Sequence, residues 1–176
     1  MNQSGNRNVT FREIQQFRQK WIWALLLLTD LSIIIPFGYG MFKQLLLGQT
    51  WGNQPMSDTA IAIVGIVSII FMGGFTYLFY VLKLIIEVRD DGLYIQFFPF
   101  SRQLISFDNI KTCEVRTYRP IKEYGGWGIR YGKKGKAYNI SGNKGVQLDF
   151  YKGKPLLIGS QKPEKLAQAI KIGMKK

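Results

Sequence analysis

Side chains that do chemistry are scarce in this chain of 176 residues, which has no His and a single Cys, Cys113. A Cys–His nucleophile pair and the usual Cys/His zinc sites are therefore excluded, and no internal disulfide can form. The scattered acids Asp108, Glu123 and Asp149 have no spacing that suggests an acid–base pair. No catalytic set, metal site or cofactor is expected, so the sequence points away from an enzyme. The densest local signal is YGGWGIR at 124–130, followed by GKKGK at 132–136. Gly125 and Gly126 permit backbone angles closed to other residues, and strand alternation puts Trp127, Ile129 and Tyr131 on one face with Gly128 and Arg130 on the other. Two readings stand. As structure, this is a loop entering a strand, with Trp127 plugging a core. As function, Arg130 lies beside a glycine-flattened strand with Tyr124, Trp127, Lys133, Lys134 and Lys136 close in sequence, a set suited to a phosphate, a carboxylate or a partner. The stretch is neither a phosphate loop nor a dinucleotide fingerprint, because the spacing differs and no helix pattern follows.

One further residue stands out. Asp30 is the only formal charge in the apolar run 21–42, where an ionisable group marks a pathway, a helix contact or a structural acid. Counting along an antiparallel second run places Gly73 opposite Asp30. Gly73 and Gly74 would then let the two backbones approach, and Thr76 or Tyr77 would offer a hydroxyl. A hydrogen-bonded structural acid and a role in ion, proton or partner binding both remain open.

The elements that must hold these residues follow from hydropathy. The stretch 59–82 has 24 residues and no charge; as a helix it reaches about 36 Å, against a hydrocarbon core of about 30 Å. Two transmembrane spans are expected, at about 21–43 and 59–86, in a hairpin covering 21–87. The connecting loop 48–58 has no Lys or Arg, whereas Arg7, Arg12, Arg18 and Lys20 precede the first span and a basic chain follows the second. That bias puts both termini in the cytoplasm, with the hairpin integral to the cell (inner) membrane. Pro36, Gly38 and Gly40 should kink or end the first helix, leaving 41–47 irregular. Within the N-terminal segment 1–20, Thr10 and Glu13 have capping-box spacing and Val9 and Ile14 that of a hydrophobic staple, which predicts an interfacial helix from Val9.

Beyond residue 82 the pattern turns to short strands separated by Gly, Lys, Asp and Asn turns, closing with a helix from Pro163 whose stripe is Leu166, Ala167, Ile170 and Met174. Seven or eight strands at this spacing predict a small antiparallel barrel or sandwich over 88–176. Of a total net charge of +13, this segment alone has 18 Lys or Arg against 7 Asp or Glu. Such a surface suits anionic lipid, or simply reflects the bias that orients the spans. Nucleic acid is disfavoured, because no binding motif accompanies the charge.

The run YGGWGIR, then AYNISGNKGVQLDFYKGKPLLIGSQKPEKLAQAI, after the opening DDGLYIQF and two hydrophobic spans, resembles the bacterial PH-like domain membrane proteins of uncharacterised function. The resemblance covers nearly the whole chain from Trp21 on. It implies a membrane-anchored α+β protein in which a two-helix hairpin precedes a PH-like barrel of two orthogonal antiparallel sheets closed by the C-terminal helix. It implies little about activity, since the fold hosts lipid, peptide and structural roles. Phosphoinositide-binding PH domains gather cations around the first hairpin loop, whereas residues 89–92 here read Arg-Asp-Asp-Gly, which argues against that pocket. The expected function is a non-enzymatic module mediating protein contacts or self-assembly at the inner leaflet. The alternative is a sensor of anionic lipid or a small anion using Arg130 and the basic residues Lys133, Lys134 and Lys136.

Overall fold

The computed structural model describes residues 8–132 and 134–175. The chain divides into two units, one spanning 18–80 and one formed by the parts that flank it. The first is a helical hairpin. Helix α1 covers Lys20–Met41 and passes through Pro36 without ending; a π-helical turn, Phe42–Leu46, extends it, and α2 covers Asp58–Val81. Proline removes one backbone hydrogen bond, but unwinding an apolar run would leave several backbone groups unpaired, so the helix continues where a break was expected. Both helices are apolar all round, with Leu28, Ile35, Ile70 and Phe71 exposed, and both are long and apolar enough to cross a membrane.

At the far end of the hairpin, polar groups hold the turn. Gln44 Nε2 donates to the Met56 carbonyl at 2.6 Å and to Asp58 Oδ1 at 2.8 Å, while Ser57 Oγ accepts from the Ala60 N–H as an N-cap. The close approaches fall at Gly65, where a Cβ would lie 2.5 Å from Met41 Sδ, and at Gly40, where it would lie 2.6 Å from the Trp51 ring. Gly73 and Gly74, expected to be the contact, have nothing within 4 Å of a Cβ. Glycine marks where backbones are able to approach; between these two helices that place is Gly65, while Gly40 receives Trp51 of the connecting loop.

The second unit contains two sheets. Strands β1 (Val9–Gln16), β2 (Lys83–Arg89), β3 (Gly92–Phe98) and β4 (Ser101–Ile105) form an antiparallel sheet in that order. Strands β5 (Ile110–Thr117), β6 (Gly128–Gly132), β7 (Gly135–Asn139), β8 (Lys144–Phe150) and β9 (Leu156–Gly159) form a second, ordered β5-β8-β9-β7-β6, in which β7 and β9 run parallel. Both sheets are open at their ends, so the architecture is α+β with two open sheets, one of them mixed, where an all-antiparallel barrel or sandwich was expected. Helix α3, Pro120–Tyr124, falls where a loop was expected, and α4, Pro163–Gly173, packs against β1, β2, β5 and β8, thereby touching both sheets. Leu166, Ala167 and Ile170 of α4 are buried, with Leu84, Ile86 and Val88 of β2, Leu93, Ile95 and Phe97 of β3, and Val146, Leu148 and Ile158 of β8 and β9.

The segment expected to be an interfacial helix is strand β1, paired with β2 from Val9 opposite Arg89 to Gln16 opposite Lys83. Its inward positions are Phe11, Glu13, Gln15 and Phe17, while Val9 and Ile14 are exposed. Two of the inward residues are polar, so the period-2 signal is absent from hydropathy and the accidental capping spacing reads as a helix start. The consequence is topological: the whole hairpin is an insertion between two hydrogen-bonded neighbouring strands.

Candidate functional site

The residues singled out around YGGWGIR do not form one site. Tyr124 ends α3 and is buried, its ring edge-on to Tyr118 with centroids 6.0 Å apart. Burial pushes both phenols above their ordinary range, opposed at Tyr118 by the Asn139 amide and at Tyr124 by Arg116. Trp127 is half-buried and plugs no core; its Nε1 donates to the Gly142 carbonyl at 3.0 Å. Arg130 folds back on its own loop, Nε donating to the Trp127 carbonyl at 2.8 Å, with its guanidinium beside Gly126. Lys134 lines a shallow hollow with Arg119, Lys122 and Glu123. Within it, the Arg119 N–H and the Arg116 guanidinium hold the Glu123 carboxyl below its usual range against the opposing effect of burial. Lys133 lies outside the described residues.

YGGWGIR is instead tied into the second sheet, next to a polar joint between the two sheets. Gly128 N–H donates to Asn139 Oδ1 at 2.9 Å, and fully buried Asn139 donates through Nδ2 to Tyr118 OH at 3.1 Å. Gln161 Nε2 reaches Ser141 Oγ at 2.8 Å, next to the Gly142 carbonyl that Trp127 uses. From the same SQK loop, Ser160 Oγ donates to Glu13 Oε2 at 2.6 Å and the Gln161 N–H to Glu13 Oε1 at 2.7 Å, while Gln15 Nε2 donates to Glu13 Oε1 and the Gly159 carbonyl, both at 2.8 Å. These bonds fasten β1 of one sheet to the β9–α4 connection of the other. A buried carboxylate with this many donors is a structural anchor.

Lys136 belongs to a different place. Together with Lys152 and Lys154 it lines an open groove of about 590 Å³ bounded by β4, the β6–β7 hairpin and the β8–β9 turn. The local backbone explains the convergence. Gly135 at φ +99° leaves no room for a Cβ against the Pro155 carbonyl, which accepts from the Lys136 N–H at 3.1 Å, and β7 then runs parallel to β9 with Lys136 opposite Leu156. This brings the 152–154 turn beside the hairpin. Tyr131 and Lys136 are cross-strand partners, and the Lys136 ammonium stands 5.6 Å from the Tyr131 centroid and 4.5 Å from that of buried Tyr138. Partial burial would lower the pKa of this lysine, but the two phenols outweigh it and the net shift is upward, so the groove keeps its positive charge. Among the described residues no carboxylate lines it. Of the acids nearest in sequence, Asp149 accepts from Thr112 Oγ1 at 2.9 Å, and Asp108 accepts at 3.3 Å from the hydroxyl of Ser106, itself a residue of the groove wall.

Sequence reasoning overlooked Lys152 and Lys154. Their KGK run reads as one more hairpin connector, and only the parallel β7–β9 pairing places it next to Lys136. In the hairpin unit, Thr76 Oγ1 donates to Asp30 Oδ2 at 2.8 Å, whereas Tyr77 is exposed with its ring near Tyr80. Asp30 Oδ1 is enclosed and accepts no hydrogen bond among the described residues.

Residues 2–175 match the model of a family described as "Family of unknown function (DUF6141)". The chain belongs to that family. No curated protein and no solved structure matches it. In this DUF6141 member the arrangement supports two chemical capacities: a polar joint that locks two sheets together, and a lysine groove suited to holding an anion. At Lys136 the pKa shift is upward, the wrong direction for a general base at neutral pH.

Proposed function

We propose that this protein is a two-span protein of the cell membrane whose two-sheet unit, PH-like in kind, works on the cytoplasmic side as a non-enzymatic module for protein contacts or self-assembly. The observation that carries the reading is the pairing of β1 with β2 around the inserted hairpin. Two strands sharing a hydrogen-bond ladder lie on one side of any bilayer, so a hairpin between them must cross an even number of times. The cation bias agrees. Across 42–58 the only charges are Lys43 and Asp58, whereas the flanking parts are strongly basic. A four-stranded meander, a second sheet and a C-terminal helix packed on both support the PH-like reading; the parallel β7–β9 pair departs from it. Exposed Phe100, Ile121, Tyr131 and Tyr151 supply apolar contact surface outside the hairpin.

Topology is tested by maleimide labelling of intact cells carrying Gln54→Cys or Tyr151→Cys, native Cys113 being buried. Label at position 54 before permeabilisation and at 151 only afterwards is expected; labelling of both from outside sinks the anchored arrangement. Contacts are tested by photo-crosslinking from positions 121 and 151 in native membranes. A discrete adduct is expected, and a chain that stays monomeric and uncrosslinked sinks the interaction role.

A further inference from the structure

We propose that the groove formed by Lys136, Lys152, Lys154 and Tyr131 is a binding site for a dianionic phosphate monoester. The inference stands on the groove alone and needs neither membrane insertion nor a protein partner.

Three lysines from two separate segments, the start of β7 and the β8–β9 turn, line one hollow without a lining carboxylate among the described residues. Like charges gathered without a counter-charge repel one another, and the fold holds them together through backbone pairing of β7 with β9. A single carboxylate offsets only one of the three. A phosphate monoester brings about −1.5 to −2 charges at neutral pH and three strong acceptor oxygens, the better match in charge and in number of donors. Lys136 is pre-positioned for this role, since its ammonium is fixed between the faces of two tyrosine rings and keeps its proton.

The space fits as well. A volume of about 590 Å³ falls within the usual range of small-molecule sites, roughly 300–1,000 Å³. Gly153, at φ +118° with nothing within 4 Å of a Cβ, leaves its backbone open between the two turn lysines. Tyr131 is 76% exposed beside Lys136 and presents a ring and a hydroxyl to whatever organic group carries the phosphate. The site is distinct from the β2–β3 turn, where Asp90 and Asp91 sit, and from Arg130, whose Nε is committed to the Trp127 carbonyl. A free phosphate ester and a lipid headgroup present the same chemistry to the groove.

The test is calorimetric titration of the full chain in neutral detergent with glycerol 3-phosphate, repeated with acetate and with dihexanoyl phosphatidic acid. Saturable binding of the phosphate esters and none of acetate is expected. Lys152→Gln/Lys154→Gln should weaken binding by about 10-fold or more, following the loss of roughly 1.4 kcal/mol per decade. The control Lys165→Gln/Lys171→Gln, which removes the same charge from exposed positions on α4, should leave affinity within about 2-fold, as expected for screened surface charges. Unfolding curves matching the parent confirm that all variants are folded. Much tighter binding of the phosphatidic acid identifies a lipid headgroup as the source, and equal affinity a soluble phosphate. No saturable phosphate binding, or equal losses in both double variants, overturns the proposal.

Discussion

Glu13 and Asp30 are both acids held inside a fold, and they are held very differently. Glu13 is 8% exposed and accepts from Gln15, Ser160 and the Gln161 N–H, the last two bonds joining residues 147 and 148 positions apart. Asp30 accepts one hydroxyl, from Thr76, across the two helices of the hairpin. The difference is what the surroundings offer. A loop adds a free backbone N–H, that of Gln161, to the side-chain donors Gln15 and Ser160, whereas helix interiors have already spent theirs and leave only side chains. The two-sheet unit thus builds an anchor around its acid, and the hairpin gives its acid a single latch.

That contrast is open to measurement, beginning with the most disruptive change. Glu13→Ala strands several buried donors at once, and the two-sheet unit should lose about 3 kcal/mol or more, read by chemical denaturation of the full chain in detergent. A loss under about 1 kcal/mol would reduce the joint to a coincidence of packing. In the hairpin, the corresponding large effect is steric: Gly65→Leu drives a side chain into Met41 and should destabilise α1–α2 packing by about 1–3 kcal/mol, seen as faster proteolysis of the 48–57 loop.

A pH series separates the two units further. Burial lifts the Cys113 thiol from 9.0 to about 11, partly offset by Lys171, and its Sγ lies 3.8 Å from the Ala167 carbonyl under α4. The folded state therefore prefers the thiol form. Its contribution to stability is complete below pH 9 and is lost as pH rises through about 11. Melting curves from pH 8 to 11 should fall less steeply for Cys113→Ala than for the parent; identical slopes would refute the assignment. The smallest effect belongs to the latch. Thr76→Val should cost about 0.6 kcal/mol, typical of interhelical hydrogen bonds in bilayers, and Asp30→Asn, which keeps an acceptor for Thr76, should cost less than that, both read by proteolysis of the 48–57 loop. A loss of several kcal/mol at either position would mean that Asp30 has a partner beyond Thr76.

Legibility followed chemistry residue by residue. The two apolar helices and the C-terminal stripe of Leu166, Ala167 and Ile170 were evident, because hydropathy and period are local properties. The pairing of Thr76 with Asp30 was within reach, since two helices of known direction restrict the choices to a few residues. β1 was not, because its inward face includes Glu13 and Gln15, which become buried only when a loop about 147 residues away satisfies them. Trp127 misled for a related reason: a large aromatic suggests a core, yet the Gly142 carbonyl gives its indole a partner nearer the surface.

The sequence by itself determined the quantities that add along the chain: two apolar helical runs with Asp30 as their single charge, the excess of Lys and Arg on their flanks, and a set of short strands punctuated by glycine. Tertiary structure alone decided that the hairpin interrupts a sheet, that Glu13 and the 160–161 loop join the two sheets, and that Lys136 shares a groove with Lys152 and Lys154. The physical reason is that each of these rests on a pairing between distant strands or loops. A single strand carries no record of its neighbour beyond its own pattern of burial, and in β1 even that pattern is written in polar residues.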